Sequence, residues 1–191
     1  MRRVLIVIGV LAIATTGVHA ALQSPAAVTG PRLQTAPTID GQLGSSEWAG
    51  AAAVGPFVLE GGGMPSLLTE AYIGFDGDAL YIGAHLRDPL PTQVPCAATA
   101  RDGAVEADPS LAVLLDPRND GTDIIKLAVN SAGVELDAID GATDPTLAWR
   151  SAVKVGDHGW MVEIAYLFGA GGAPQDGAKW GINLRRNTPR I

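Results

Sequence analysis

Residues 68–87 read LTEAYIGFDGDALYIGAHLR, and this stretch decides the fold. Two runs of β-forming residues flank Asp76-Gly77-Asp78, and an Asp-Gly pair suits the positive φ angles of a tight hairpin turn. Side chains alternate between the two faces of a strand, so one face of this hairpin predicts the core: Ala71, Ile73, Phe75, Leu80, Ile82, Ala84 and Leu86. The opposite face carries Tyr72, Gly74, Tyr81, Gly83 and His85.

Short segments of the same kind continue along the chain. They are separated by clusters of Gly, Pro, Asp and Asn, and no long stretch with helical periodicity intervenes. The further predicted strands are 111–116, 124–130, 134–139, 152–155, 160–168 and 180–186. This succession predicts an all-β protein, an antiparallel, jelly-roll-like β-sandwich with a single domain. Trp160 and Trp180 alternate with aliphatic residues and are predicted to lie in its core.

The N-terminus has the pattern of a targeting segment. Arg2 and Arg3 precede an apolar run over 4–14, which Val18-His19-Ala20 follows. The run is shorter than the roughly 20 residues that cross a bilayer, so it predicts a signal peptide over 1–20 and no transmembrane segment. We then expect an extended leader over 21–37, the sandwich over 38–191, and an extracytoplasmic location: periplasmic, envelope-associated or secreted.

The charge balance and the cysteine count limit the partners. The chain has 13 Lys and Arg against 20 Asp and Glu, a formal net charge of −7, which argues against binding nucleic acid or an anionic membrane surface. A neutral ligand or a cation fits better. Cys96 is the one cysteine, so no disulfide forms within the chain.

The sequence offers little for catalysis. Beyond the predicted signal peptide the histidines are His85 and His158, and neither forms a recognisable nucleophile–base or zinc-ligand pattern with Cys96. Paired carboxylates could hydrolyse glycosides, but the many loop acids single out no pair. We therefore expect a protein that is not itself an enzyme, with glycoside hydrolase activity as a third alternative.

One acidic loop has the composition of a calcium site. Calcium prefers six to eight oxygen ligands, and the loop after the predicted strand 111–116 is rich in them. The candidate ligands are Asp116, Asn119, Asp120 and Asp123. Arg118 departs from the helix-loop-helix calcium pattern, so an acidic turn between two strands stays open as the alternative.

The aromatic residues include one candidate for an exposed binding surface. The apolar face of a sugar ring packs on an aromatic ring while its hydroxyls meet polar neighbours. Trp149 follows the loop 140–147 and precedes a short predicted strand, which makes it the tryptophan best placed for exposure. Tyr72 and Tyr81 could form a shallow platform, or could cover the neighbouring glycines.

A series of landmarks connects the chain to a known family. In order, they are Pro37-Thr38-Ile39-Asp40-Gly41, Glu47-Trp48, Asp76-Gly77-Asp78-Ala79-Leu80-Tyr81-Ile82, Asp88-Pro89, Leu114-Leu115-Asp116, Gly159-Trp160-Met161-Val162-Glu163-Ile164 and Trp180-Gly181-Ile182-Asn183-Leu184-Arg185. In this order and spacing, they resemble family 9 carbohydrate-binding modules and relatives at the front of larger bacterial envelope proteins. The resemblance implies a sugar-binding β-sandwich, in known cases with structural calcium.

The resemblance implies a non-catalytic carbohydrate-binding module of an exported polysaccharide-handling protein. Trp149 would stack on a saccharide or polysaccharide, and Arg101, Asp102 and Asp108 would supply polar contacts. Binding members clamp sugar between two aromatic residues, and one of these lies in a loop where 101–109 here contains none. The alternative is a structural or interaction module that has lost sugar binding, at the N-terminus of a larger envelope protein with a downstream domain or envelope partner.

Overall fold

A computed structural model describes residues 4–8, 26–93, 95–144, 146–169 and 172–189. These ranges contain short strands and a single-turn 3-10 helix, Val105–Ala107. The strands are β1 (Val4–Ile8), β2 (Ala26–Gly30), β3 (Ala52–Val54), β4 (Thr69–Phe75), β5 (Ala79–Arg87), β6 (Ser110–Asp116), β7 (Ile125–Asn130), β8 (Glu135–Ile139), β9 (Ala142–Thr143), β10 (Trp149–Gly156), β11 (Gly159–Leu167) and β12 (Lys179–Asn187). The predicted all-β class is confirmed.

The strands form two sheets that pack as a sandwich. The seven-stranded sheet has the order β2-β1-β12-β6-β7-β8-β9, and the five-stranded sheet has the order β10-β11-β5-β4-β3. The pairings are antiparallel except that of β1 with β12, which is parallel. The predicted antiparallel sandwich is therefore confirmed, with β1, β2, β3 and β9 as strands that the sequence pattern did not reveal.

The deciding hairpin forms in the register that its alternation predicts. Phe75 pairs with Leu80 across the turn, and Asp76 Oδ1 accepts hydrogen bonds from the backbone N–H groups of Asp78 at 2.7 Å and Ala79 at 3.0 Å. The predicted inward residues of both strands are buried in the main core. Trp160 joins them at 2% exposure, whereas Trp180 is half-buried at the core's margin.

The outer face of the five-stranded sheet is covered by residues 31–51, which we call the covering segment. Leu33 and Trp48 of this segment form a second buried cluster with Tyr81. A Cβ on Gly74 would lie 2.7 Å from a Leu33 side-chain atom, and one on Gly83 would lie 2.8 Å from the Trp48 ring. The glycines therefore make room for Leu33 and Trp48, rather than being covered by the tyrosine rings alone.

A buried carboxylate fastens the covering segment to the sheet. Glu163 on β11 has 0% exposure. Its Oε1 accepts from Trp48 Nε1 at 2.9 Å, and its Oε2 accepts from the backbone N–H groups of Asp40 at 2.9 Å and Gly41 at 2.8 Å. Burial raises the pKa of Glu163, although these three donors oppose the rise. The carboxylate thus satisfies a turn and an indole at once.

The predicted N-terminal segments are only partly described. The expected signal peptide lies outside the described residues except for Val4–Ile8, which forms β1, so its targeting role stays a prediction. Within the expected extended leader, Ala26–Gly30 forms a strand and Leu33 is buried at 6% exposure. The described residues contain no helix long and apolar enough to cross a membrane.

Candidate functional site

Side chains of β8 and β10 meet where the edges of the two sheets approach each other. Trp149 is the first residue of β10, pairs with Tyr166, and is half-buried. Its Nε1 donates to Asp137 Oδ1 at 3.1 Å, and Ser151 Oγ on the same strand donates to Glu135 Oε1 at 2.7 Å. Trp149 therefore belongs to a strand rather than to the preceding loop, and β8 fixes the position of its ring.

Arg101 closes this cluster from the loop that precedes β6. Its guanidinium forms ion pairs with Glu135 and Asp137, and its Cζ lies 5.5 Å from the centre of the Trp149 ring, within cation–π range. Partial burial opposes the charge, but the hydrogen bonds and negative charges of the two carboxylates outweigh it and raise the pKa of Arg101. We call Arg101, Asp102, Glu135, Asp137 and Trp149 the edge cluster.

Asp102 attaches the same loop to β8. Its backbone N–H donates to the Glu135 carbonyl at 2.9 Å, and its Oδ1 accepts from the Asp137 N–H at 3.2 Å. A φ of 61° places Asp102 in the left-handed region, which Asp tolerates better than most residues. The structure thus brings together three of the predicted site residues, Trp149, Arg101 and Asp102.

Sequence reasoning missed the two carboxylates that hold Arg101. Glu135 and Asp137 alternate with Leu136 and share a strand face with Ile139, which contacts the core. Asp137 is only 1% exposed. Acids at inward positions of a strand are rare unless they are paired, so this alternation was the available signal.

Asp108 lies in a different environment. It is 4% exposed, and its carboxylate accepts from the N–H groups of Ala97 at 2.8 Å and Ala98 at 3.0 Å and from Asn130 Nδ2 at 2.9 Å. Burial would raise the pKa of Asp108, but these hydrogen bonds outweigh it and the pKa is lowered. None of these partners belongs to the edge cluster, so Asp108 holds the loop before β6.

The predicted calcium ligands are Asp116, the last residue of β6, and Asn119, Asp120 and Asp123 in the loop between β6 and β7. Asp116 accepts hydrogen bonds from the Asp120 N–H at 3.3 Å and the Gly121 N–H at 2.8 Å. Arg118 pairs with Asp120 at 2.9 Å and Asp123 at 2.6 Å. Among the described residues, no group of three or more His, Cys, Asp or Glu side chains lies close enough together to hold a metal ion.

Calcium binding in this loop stays a prediction, which a titration tests. Binding to the folded state alone stabilises it by mass action, so we expect Tm of chelator-treated protein to rise with added CaCl2. Arg118→Ala should enlarge the rise because it removes the cation that pairs with Asp120 and Asp123. MgCl2 is the control, because magnesium demands a stricter octahedral geometry. An unchanged Tm in both proteins would contradict calcium binding.

Comparisons with known proteins bear on the fold. No family model and no curated protein matches the sequence. A family 9 carbohydrate-binding module from Caldicellulosiruptor kristjanssonii, solved with cellotriose, is 20% identical with a TM-score of 0.64, over 82% of this chain and 74% of that one. A family 9 module from the same organism, solved with glucose, is also 20% identical with a TM-score of 0.64, over 82% of this chain and 76% of that one.

A third structure is more distant. It is a protein from Bacteroides uniformis ATCC 8492 to which carbohydrate binding has been ascribed, 15% identical with a TM-score of 0.51, over 65% of each chain. At these identities the likeness establishes the fold alone. The chain therefore has the β-sandwich fold of family 9 carbohydrate-binding modules, as its landmarks predicted.

Proposed function

We propose that this protein is an exported, non-catalytic module that binds saccharide at the edge cluster. The observation that carries the proposal is the half-buried Trp149 ring, which lies beside a guanidinium and several carboxylates at one edge of the sandwich. This combination suits sugar recognition, because an aromatic ring packs against the C–H face of a pyranose while polar and charged groups bind its hydroxyls. The fold neighbours solved with cellotriose and glucose support this class of ligand.

The exposed members of the edge cluster are the ones that would meet the sugar hydroxyls. Arg101 and Asp102 are exposed and Glu135 is half-buried, whereas Asp137 is almost completely enclosed. Asp137 accordingly positions the Trp149 indole and the guanidinium from below. A ligand would contact the ring together with Arg101, Asp102 and the accessible part of Glu135.

The charge of the edge cluster favours uncharged glycans. Three carboxylates, Asp102, Glu135 and Asp137, stand against the single guanidinium of Arg101. A uronate carboxylate would therefore enter a field of its own sign, which costs on the order of 1 kcal/mol for each nearby charge in water. Neutral gluco-oligosaccharides are the ligands that we expect.

Trp149→Ala should weaken binding of cellotriose about tenfold, because it removes the stacking surface and each 1.4 kcal/mol changes affinity by that factor. Isothermal titration calorimetry with glucose, cellotriose and glucuronate measures the effect and the preference for neutral sugar. Val155→Ala is the matched control, since Val155 is 41% exposed on the same strand.

Two results of this titration would contradict the proposal. The first is the absence of heat with either neutral sugar at millimolar concentration. The second is equal affinity in the Trp149→Ala variant and the unchanged protein, which would place any binding elsewhere.

One observation favours a structural or interaction module as the second candidate. Arg101 is already paired with Glu135 and Asp137, so the edge cluster also serves as an internal clip between the loop before β6 and the sheet edge. In that case Arg101→Ala would lower the unfolding temperature while no sugar binds either protein. The relevant binding partner would then be a downstream domain or an envelope protein. Inspection of the downstream reading frame would reveal a downstream domain.

A further inference from the structure

An open cleft of about 430 Å³ lies on the outer face of the five-stranded sheet, away from the edge cluster. Residues 43–51 of the covering segment form one wall. The sheet side is formed by outward side chains of β4, β5 and β11: Glu70, Tyr72, His85, Arg87 and Met161.

The strand register explains why these side chains share one surface. Glu70 pairs with His85, and His85 pairs with Met161, so the three form a row across β4, β5 and β11. In the neighbouring row Tyr72 pairs with Gly83, where the missing side chain leaves room for the Trp48 ring. The covering segment thus lies over one row and leaves the next one accessible.

The polar groups of the cleft are held in place yet keep bonding capacity. Arg87 Nε and Nη2 both contact Glu70 Oε2 at 2.8 Å. Glu70 Oε1 therefore keeps its acceptor capacity for a ligand. His85 Nδ1 lies 3.9 Å from Glu70 Oε2, beyond hydrogen-bond distance.

The imidazole adds both a donor and an acceptor. Burial, followed by the positive charge of Arg87, lowers the pKa of His85, so its ring is neutral at pH 7. One nitrogen of a neutral imidazole donates and the other accepts. With the charges of Glu70 and Arg87 opposed, the cleft has no net charge to favour an ion over a neutral ligand.

The apolar part of the cleft is equally well positioned. The Tyr72 ring is half-buried and lies 6.5 Å from the Trp48 ring at an interplanar angle of 45°. This contact limits the freedom of the Tyr72 side chain. Met161 adds a polarisable, half-buried thioether on β11, in the same row as His85.

We propose that this cleft is a second saccharide-binding site, which takes one or two neutral sugar residues. Tyr72 and Met161 pack against the C–H face of the sugar, while Glu70, His85 and Arg87 bind its hydroxyls. An aromatic ring beside donors and acceptors whose charges balance suits a polyhydroxylated ring better than an ion or a fully apolar molecule. The inference shares its class of ligand with the proposed function but none of its residues.

Chemical-shift titration of 15N-labelled full-length protein with cellotriose tests the second site. We expect shift changes at the amides of Tyr72, His85 and Met161, and we expect them to persist in the Trp149→Ala variant. Tyr72→Ala should raise the cellotriose Kd determined from these shift changes at least fivefold. Tyr72→Phe keeps the ring and should leave that Kd unchanged. Because Tyr72 also contacts Trp48, Glu70→Gln provides a second variant that leaves this packing intact.

The possible results separate the two sites. Changes confined to the cleft support the second site and contradict sugar binding at the edge cluster. Changes confined to Trp149 and its neighbours do the reverse. Silence at both places with millimolar cellotriose, in a protein whose spectrum shows it to be folded, overturns both proposals.

Discussion

Replacing Glu163 by alanine is expected to lower the free energy of unfolding by about 4 kcal/mol. The fully buried carboxylate accepts from the Trp48 indole and from the backbone N–H groups of Asp40 and Gly41. Alanine leaves the Trp48 indole and the Gly41 N–H without an acceptor, whereas the Asp40 N–H keeps its contact with the Thr38 carbonyl at 3.1 Å. Each buried orphan donor costs about 1–3 kcal/mol. The Trp48 ring is only 5% exposed, so water has little access to its indole N–H in place of the carboxylate.

Urea denaturation followed by tryptophan fluorescence measures this loss, and hydrogen exchange at the Asp40 and Gly41 amides locates it. Glu163→Gln should lower the free energy of unfolding by less than Glu163→Ala, because the amide oxygen still accepts a hydrogen bond. Some loss remains, because the NH2 group would face a donor. Glu60→Ala is the matched control, since Glu60 lies in an exposed loop. A Glu163→Ala protein within about 1 kcal/mol of the unchanged one would refute the fastening role of this side chain.

Asp108→Ala should cost about 3 kcal/mol at pH 7, for a related reason. The 4% exposed carboxylate holds the Ala97 and Ala98 N–H groups and Asn130 Nδ2, so its loss leaves the loop before β6 without its acceptor. Because the folded-state pKa of Asp108 is lowered, its contribution is complete above the unfolded-state pKa of about 3.9. The contribution is lost as the pH falls through the folded-state pKa.

The pH dependence provides the sharper measurement. The difference in unfolding free energy between the unchanged protein and Asp108→Asn should be constant near neutrality and shrink once the pH falls below about 4. Urea unfolding at a series of pH values determines it. Asp157→Asn, at an exposed turn, is the control. Parallel stability curves for the unchanged protein and Asp108→Asn over the acid range would rule out the ionised carboxylate as the stabilising species.

The sandwich core was predictable because its information is local. Alternation from Thr69 to Arg87 and the Asp76 turn determine which side chains face inward, and the strands form in that register. Boundaries were less predictable where the sequence lacks aliphatic residues. The strand expected over 152–155 in fact extends over Trp149–Gly156, because pairing with β11 continues past the apolar stretch.

The candidate site was predictable in its exposed members and not in its supports. Arg101, Asp102 and Trp149 come together, but their connection through Glu135 and Asp137 depends on a contact between two sheets that no local pattern encodes. Nothing in the local sequence distinguishes Asp108 from the other acidic residues of the same loop. An acid just before a strand looks alike whether it faces solvent or satisfies its own loop, and only the tertiary fold distinguishes the two.

The attachment of Gly41 to Glu163 also constrains the order in which a growing chain can mature. The two residues are separated by 122 positions, so the covering segment emerges long before the strand that fastens it. Such distant pairing slows folding, because a large loop must close before its contacts contribute. Until β11 has emerged, the Trp48 indole lacks the Glu163 acceptor, so a nascent chain halted before residue 159 would leave that N–H without its native partner.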